Sequence, residues 1–119
     1  MSNTQNLIKF ARNLTATKQL NFVGQVNVST GTIRWYPDVN IIIQSVYISA
    51  GTAPSGGALS LVINKSGVAA ANVSLDSGLN ISNTSILNIP VSTAEYITVD
   101  VISSNRATDA VLTFTYKRN

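Results

Sequence analysis

Residues 31–67 read GTIRWYPDVNIIIQSVYISAGTAPSGGALSLVINKSG, and the pattern of this stretch decides the fold class. It contains the single Trp, two of the four Tyr, two of the three Pro and five of the seven Gly. Residues 39–49 are rich in β-branched and aromatic types, which fit a half-buried pleated surface. Residues 58–64 alternate between apolar and polar side chains, as strands do. Between them, residues 51–57 (GTAPSGG) are nearly all turn formers. The stretch predicts two neighbouring strands joined by a turn-rich loop.

Strand-like patterns also occur on both sides of this stretch. The last pattern alternates most clearly, and it predicts that Leu112, Phe114 and Tyr116 face inward. Eight short strands joined by turns predict an all-β fold, an antiparallel β-sandwich of the jelly-roll type. The predicted strands cover residues 20–28 (with an irregularity at Gly24), 32–36, 39–49, 58–64, 68–75, 84–89 (closed by Pro90), 96–102 and 110–117. A hairpin turn of three to four residues is expected at residues 64–67.

The length of 119 residues fits one domain with an additional arm. We assign residues 1–19 to an N-terminal arm and residues 20–119 to the β-sandwich domain. The apolar residues of the arm could form one face of a two-turn helix. An extended arm that becomes ordered against a partner fits equally well, with Phe10 and Leu14 as anchors, and so does a frayed terminus.

Composition indicates a protein that tolerates being covered by others. Charged residues make up 11% of the chain, less than half of the usual quarter, and Ser, Thr and Asn take their place. The net charge is +3, and residues 1–36 carry four basic residues and no acidic one. Such a basic segment suits an acidic partner surface. Because the basic residues lie far apart and without clustered aromatics, we expect no nucleic-acid partner.

The sequence offers little material for catalysis. Cys and His are both absent, which removes thiolate chemistry and the commonest general base and metal ligand. A calcium site at Asp76 or Asp109 is conceivable, but neither loop repeats acidic residues at ligand spacing. Residues 51–57 lack the Lys and the following helix of a phosphate-binding loop. We therefore expect no catalytic residue, no metal site and no cofactor, and a protein that is not an enzyme.

No apolar run approaches the length of a membrane span, and the first residues contain no apolar core of signal-peptide length. We therefore expect no membrane partner and no secretion.

Four motifs carry a resemblance to a known family. They are GTIRWYP at 31–37, GTAPSG at 51–56, NKSG at 64–67 and YITVDV at 96–101. Together they resemble a small β-sandwich module of tailed-bacteriophage virion proteins, and the resemblance covers roughly residues 20–117. Modules of this family look like capsid decoration (cement) proteins, head fibres and parts of tail fibres. The motif residues themselves resemble framework positions, namely turn glycines, a rigid proline loop and a core strand.

A free-standing module with a short basic arm is most similar to a decoration protein that clamps neighbouring capsid subunits. The resemblance then implies a location on the capsid surface of the virion, assembly in the host cytoplasm, the major capsid protein as partner, and a homotrimer. The arm residues expected to contact the capsid or a subunit are Lys9, Phe10, Arg12, Leu14 and Lys18. The uncharged loop residues expected at an inter-subunit contact are Thr52, Ala53, Pro54 and Ser55.

The alternative function is a receptor- or glycan-binding module of a tail fibre or head fibre. Aromatic faces beside hydrogen-bonding side chains suit sugars, and the candidate contacts are Trp35, Tyr36 and Tyr47. Aromatic residues in strands also fill cores, which is the competing interpretation of Trp35.

Overall fold

The computed structural model describes residues 14–84 and 87–119, and in these residues the chain forms nine strands and no helix. The strands are β1 (Thr15–Gln25), β2 (Arg34–Trp35), β3 (Ile41–Ser49), β4 (Leu59–Lys65), β5 (Val68–Leu75), β6 (Ile81–Thr84), β7 (Ile89–Val91), β8 (Ile97–Ser103) and β9 (Thr108–Arg118).

The strands form two antiparallel sheets. Sheet I has the order β1-β9-β3-β6, with β7 also paired to β3, and sheet II has the order β2-β8-β4-β5. The pairs β1·β9, β2·β8, β3·β6 and β4·β5 are nested, so the chain resembles one long hairpin rolled up around the β4–β5 turn. This is the topology of a jelly roll, and the predicted antiparallel β-sandwich is confirmed.

The core lies between the sheets and is built from the alternating apolar positions. Leu112 and Phe114 of β9 are fully buried, as are Leu59 and Ile63 of β4. Trp35 of β2 is also buried, and its ring centroid lies 5.8 Å from that of Phe114. The inward positions predicted for Leu112 and Phe114 are therefore confirmed, and Tyr116 is half-buried against the Trp35 ring.

A two-residue turn, Ser66–Gly67, joins β4 to β5. Lys65 pairs with Val68 across it, and both turn residues have positive φ angles, 51° and 86°. This conformation matches the right-handed twist of a hairpin, and glycine accommodates it without strain. A hairpin turn was predicted here correctly, although the loop is shorter than the expected three to four residues.

The prediction that residues 39–49 and 58–64 form neighbouring strands is wrong. β3 belongs to sheet I and β4 to sheet II, so residues 50–58 cross from one sheet to the other. A tight hairpin needs only two to five loop residues. The longer connection has room to span the sandwich, and each strand then pairs with segments that are distant in sequence.

The predicted start of the first strand also differs from the structure. The first strand begins at Thr15 rather than Leu20, since Thr15 to Gln19 pair through the main chain with Lys117 to Thr113 of β9. The register shifts after Phe22, close to the irregularity expected at Gly24.

The predicted strand over residues 84–89 is replaced by the two short strands β6 and β7. Pro90 lies within β7, paired opposite Ile42, instead of closing a strand. Proline is tolerated there because β7 is paired to one neighbour only among the described residues, so the nitrogen of Pro90 need not donate a hydrogen bond.

Candidate functional site

Strand β1, at one edge of sheet I, is the most exposed strand among the described residues. Residues 15–19 are all exposed, and Leu20 is the single buried residue of β1. Among the described residues β1 pairs with β9 alone. An edge strand of this kind presents unpaired N–H and C=O groups that another chain can bind.

A groove of about 450 Å³ lies where β1 begins. It is bounded by the start of β1, the end of β9 and the β2–β3 connection, and it contains one acidic and one basic side chain. The lining residues are Leu14, Thr15, Ala16, Asp38, Val39, Tyr116 and Arg118. Leu14 is 51% exposed although it is apolar, so an apolar partner segment would gain from covering it.

The predicted arm residues fall into two groups. Leu14 lies directly before β1, and Lys18 lies within β1 opposite Phe114. Lys9, Phe10 and Arg12 lie outside the described residues. Five residues that the sequence assigned to the arm are therefore strand residues, while their contact with a capsid stays a prediction.

The three aromatic residues proposed for glycan binding are not brought together. Trp35 is buried against Phe114 and Tyr116, with ring centroids 5.8 and 5.4 Å away. Tyr36 follows β2 of sheet II, whereas Tyr47 lies on β3 of sheet I. Trp35 therefore belongs to the core, and the remaining two side chains are on different sheets.

A different aromatic cluster forms beside β2. The Tyr36 and Tyr96 rings have centroids 5.3 Å apart, and the Arg34 guanidinium carbon lies 4.4 Å from the centre of the Tyr96 ring. Arg34 and Tyr36 are exposed. Sequence reasoning missed Tyr96 as a site residue, because only the pairing of β2 with β8 brings it next to Tyr36.

The connection over residues 50–58 is held firmly at one end of the sandwich. The Pro54 carbonyl accepts hydrogen bonds from Gly78 N at 2.8 Å and Ser77 Oγ at 3.4 Å. Ser55 N donates to the Asn105 carbonyl at 2.8 Å. A Cβ at Gly57 would lie 2.7 Å from Asn105 Nδ2, so a side chain there would have to displace the Asn105 amide, which donates a hydrogen bond to the Ala58 carbonyl.

Of the four loop residues predicted at an inter-subunit contact, Pro54 is buried and Ala53 is half-buried, while Thr52 and Ser55 are exposed. The inter-subunit role of the loop stays a prediction.

Three of the five acidic residues accept main-chain hydrogen bonds. Asp100 Oδ1 accepts from Gly31 N at 2.7 Å, and Asp109 Oδ1 accepts from Gly24 N at 2.8 Å. Both carboxylates reach from sheet strands to glycine N–H groups, Asp109 to Gly24 within β1 and Asp100 to Gly31 between β1 and β2. Within the described residues, no group of three or more His, Cys, Asp or Glu is placed to hold a metal ion.

Glu95 is the third of these acids. Its Oε1 accepts from Ser92 N at 3.0 Å, and its Oε2 lies 3.7 Å from Lys65 Nζ. The Ser92 N–H, together with the Lys65 ammonium group, lowers the pKa of the Glu95 carboxyl below its usual value. The Lys65 ammonium group also donates to the Pro90 carbonyl at 3.1 Å, so this cluster ties β4 to the segment that precedes β8.

The opposite edge of the sandwich is almost free of charge. Residues 66–94, which contain β5, β6 and β7, carry Asp76 as their single charged residue. A second groove of about 450 Å³ lies on the outer face of sheet II beside β5. Its lining residues are Ser60, Leu61, Val62, Asn72, Val73, Ser74 and Ile102.

No stretch of helix that could cross a lipid bilayer occurs in residues 14–84 or 87–119.

Comparison with known proteins yields likeness of fold. No protein-family model and no curated protein sequence matches the chain. The NLP core of Drosophila, described for pentamer formation and histone binding, is 9% identical with a TM-score of 0.53, covering 89% of this chain and 98% of that one. A GH26-CBM35 β-(1,4)-mannanase of Podospora anserina is 8% identical with a TM-score of 0.50, covering 88% of this chain and 28% of that one.

A chain of the cyanophage Pam1 capsid asymmetric unit is 16% identical with a TM-score of 0.49, covering 89% of this chain and 84% of that one. At these identities the likenesses to the NLP core and to the mannanase describe the β-sandwich fold alone.

Proposed function

We propose that the protein is a capsid decoration (cement) protein that binds the outer surface of a phage head through the β1 edge and the residues that precede it. The observation that carries this proposal is the exposed β1 strand, which continues directly from the basic N-terminal residues. The resemblance of the sequence motifs to phage virion modules supplies the class of partner, the major capsid protein.

The chemistry of the β1 edge suits attachment to another protein. Its main-chain groups can extend a neighbouring sheet, which gives affinity without a deep pocket. The groove next to Leu14 offers apolar surface, and Lys9, Arg12 and Lys18 offer positive charge to an acidic capsid surface. An arm and an edge that bind together have a higher avidity than either alone.

Binding to capsids assembled without the protein tests this proposal. Removal of residues 1–13 leaves β1 complete and is expected to abolish saturating attachment, while the circular dichroism spectrum keeps its β-sheet form. Removal of residues 1–19 would also cut five residues from β1, so it would confound attachment with folding. Full decoration by the shorter truncation would contradict the role of the N-terminal residues.

Charge provides a matched pair of variants. Arg12→Glu reverses a charge shortly before β1 in the sequence, and Arg106→Glu makes the same change in the β8–β9 connection. We expect weaker attachment for Arg12→Glu alone. Equal loss in both variants would mean that net charge rather than this edge governs binding.

Glycan binding is the second candidate, and the exposed Tyr36 ring next to the half-buried Tyr96 ring and Arg34 favours it. Tyrosine faces stack on sugar rings, and the guanidinium group can donate hydrogen bonds to hydroxyl or carboxylate oxygens. On a glycan array, Tyr36→Ala and Tyr96→Ala should lose any signal that Tyr47→Ala keeps, because Tyr47 lies on the other sheet. The absence of signal for the unmodified protein would dismiss this function.

A further inference from the structure

Strand β5 is an edge strand that lacks the usual protection against pairing over residues 71–75. Its sequence, VAAANVSL, contains no charged residue and no proline. Among the described residues it pairs with β4 alone, and Val68 is 71% exposed. Natural edge strands are normally blunted by charges, prolines, bulges or short length.

The other edge strands do carry such features. β1 has Lys18 and an irregularity at Gly24, and β2 is two residues long and includes Arg34. β6 is four residues long, and β7 contains Pro90. β5 has one shift of register, opposite Ile63 and Asn64, which leaves residues 71–75 in regular pairing with β4. A regular, neutral edge of five residues therefore has no strand partner within residues 14–84 and 87–119.

We propose that this edge pairs with β5 of a second copy of the chain, in antiparallel orientation about a two-fold axis at Val73. A two-fold contact places the same strand against itself. In this register Asn72 lies opposite Ser74 on the outer face, and Ala71 lies opposite Leu75 on the inner face. Each pair joins side chains of compatible size and polarity, so the strand is complementary to itself.

Electrostatics favours a second copy over a charged partner. Asp76, the one charge in residues 66–94, would lie opposite Ala70. The two Asp76 side chains are then six residue steps apart along the strand direction, roughly 20 Å, and their repulsion is largely screened. Nothing charged has to be desolvated at the centre of the contact, so its formation incurs no cost of burying a charge.

Neighbouring apolar side chains extend the contact. Leu79 is 49% exposed and Ile81 is 57% exposed, and both lie in the segment that leads from β5 into β6. Because β5 contacts β6 across the sandwich edge, a copy seated on β5 would also cover part of this apolar surface. The pairing is separate from the β1 edge used in the proposed function.

Sedimentation equilibrium of the full chain tests the proposal, in a concentration series up to about 1 mM, which reaches dissociation constants in the millimolar range. The expected species has twice the chain mass of 12.6 kDa. A monomer at all concentrations would overturn the proposal. A trimer, which is the state that the resemblance to decoration proteins implies, would also overturn it, because a two-fold contact groups copies in even numbers.

Charge variants test the register. The double variant Asn72→Lys, Ser74→Lys opposes like charges across the axis and should be a monomer, and so should Asn72→Glu, Ser74→Glu. A mixture of the two should recover the dimer mass, because each Lys then meets a Glu. A mixture that stays monomeric, or a Lys variant that keeps the dimer mass, would contradict the pairing.

A control variant places the same charges on the other edge. Thr17→Lys, Gln19→Lys adds two lysines to exposed positions of β1 and should retain the dimer mass. All variants alter exposed residues, so their circular dichroism spectra should match that of the unmodified chain. Dissociation by the β1 variant would indicate that the wrong edge has been assigned.

Discussion

The β1 edge and the β5 edge of the same sandwich have opposite characters. β1 is long and polar, it borders the groove that contains Asp38 and Arg118, and carboxylates from β9 and β8 bind Gly24 within it and Gly31 after it. β5 is neutral along its whole length. A jelly roll leaves edges open on both sides, and the difference shows that side-chain chemistry, rather than topology, decides which partner each edge can accept.

The packing beneath the two edges differs as well. Trp35, Phe114 and Tyr116 form an aromatic cluster next to β1 and β2. Beneath β5 the core consists of aliphatic side chains such as Leu75 and Val73, which are 0% and 3% exposed. The core is therefore packed with large aromatic side chains on one side of the sandwich and with smaller aliphatic side chains on the other.

The largest expected effect comes from Trp35→Ala. Loss of a buried aromatic side chain should lower the free energy of unfolding by about 3–5 kcal/mol. The matched change at the other edge, Val73→Ala, removes two methyl groups and should cost about 1.6 kcal/mol. Urea unfolding followed by circular dichroism measures both, and equal losses would remove the distinction between the two sides.

Loss of the hydrogen bonds that Asp100 and Asp109 accept near β1 should lower the free energy of unfolding by an intermediate amount. Asp100→Ala and Asp109→Ala each remove a hydrogen bond to a glycine N–H, worth about 1 kcal/mol at an exposed site. Asp76→Ala, in the β5–β6 connection, is the control and should change the free energy of unfolding by less than about 0.5 kcal/mol. If Asp76→Ala destabilises the protein as much, the hydrogen bonds of Asp100 and Asp109 make no specific contribution to stability.

Added salt should lower the affinity for capsids by a few fold and should leave the affinity of self-association through β5 nearly unchanged. Attachment to capsids through the basic residues should weaken between 0.1 and 1 M salt, because the Debye length falls from about 10 to 3 Å. Association through β5 should be nearly unchanged, since its edge carries no charge. The same salt dependence for both processes would contradict the assignment of a charged contact to β1 and a neutral contact to β5.

Substitution of Glu95 should change the stability of the protein least. Since its pKa is lowered in the folded state, its contribution to stability is present above the unfolded pKa and disappears as the pH falls through the folded pKa. Glu95→Gln should therefore reduce the melting temperature slightly at pH 7 and leave it unchanged in acid below the folded pKa. Melting curves at the two pH values measure this, and an equal reduction at both would rule out the carboxylate charge as its origin.

Local patterns in the sequence predicted the strands and their inward faces well. The alternation of Leu112, Phe114 and Tyr116 and the turn before Gly67 depend on near neighbours, so they can be recognised without knowledge of the fold. Strand partners could not be recognised, because a jelly roll pairs segments as distant as β1 and β9. The first residues of β1 show the same limit, since TATKQ has no apolar alternation and is ordered by main-chain pairing.

The candidate site was harder to predict than the fold. Trp35 and Tyr36 are adjacent in sequence, yet one is buried and the other is exposed beside Tyr96. The cluster with Tyr96 results from the pairing of β2 with β8, which brings together residues about sixty positions apart. Which strands lie at an edge likewise depends on sheet order. The neutral stretch over residues 66–75 therefore becomes a candidate contact surface only once β5 is known to be an outer strand.

Hydrogen–deuterium exchange of the protein on and off capsids shows whether the β1 edge is the attachment surface. Binding should slow exchange in residues 15–25, because amides that point away from β9 gain partners or lose access to water. Residues 34–36 and 96 should exchange at the same rate in both states. Unchanged exchange over β1, together with new protection around Tyr36 and Tyr96, would contradict the account.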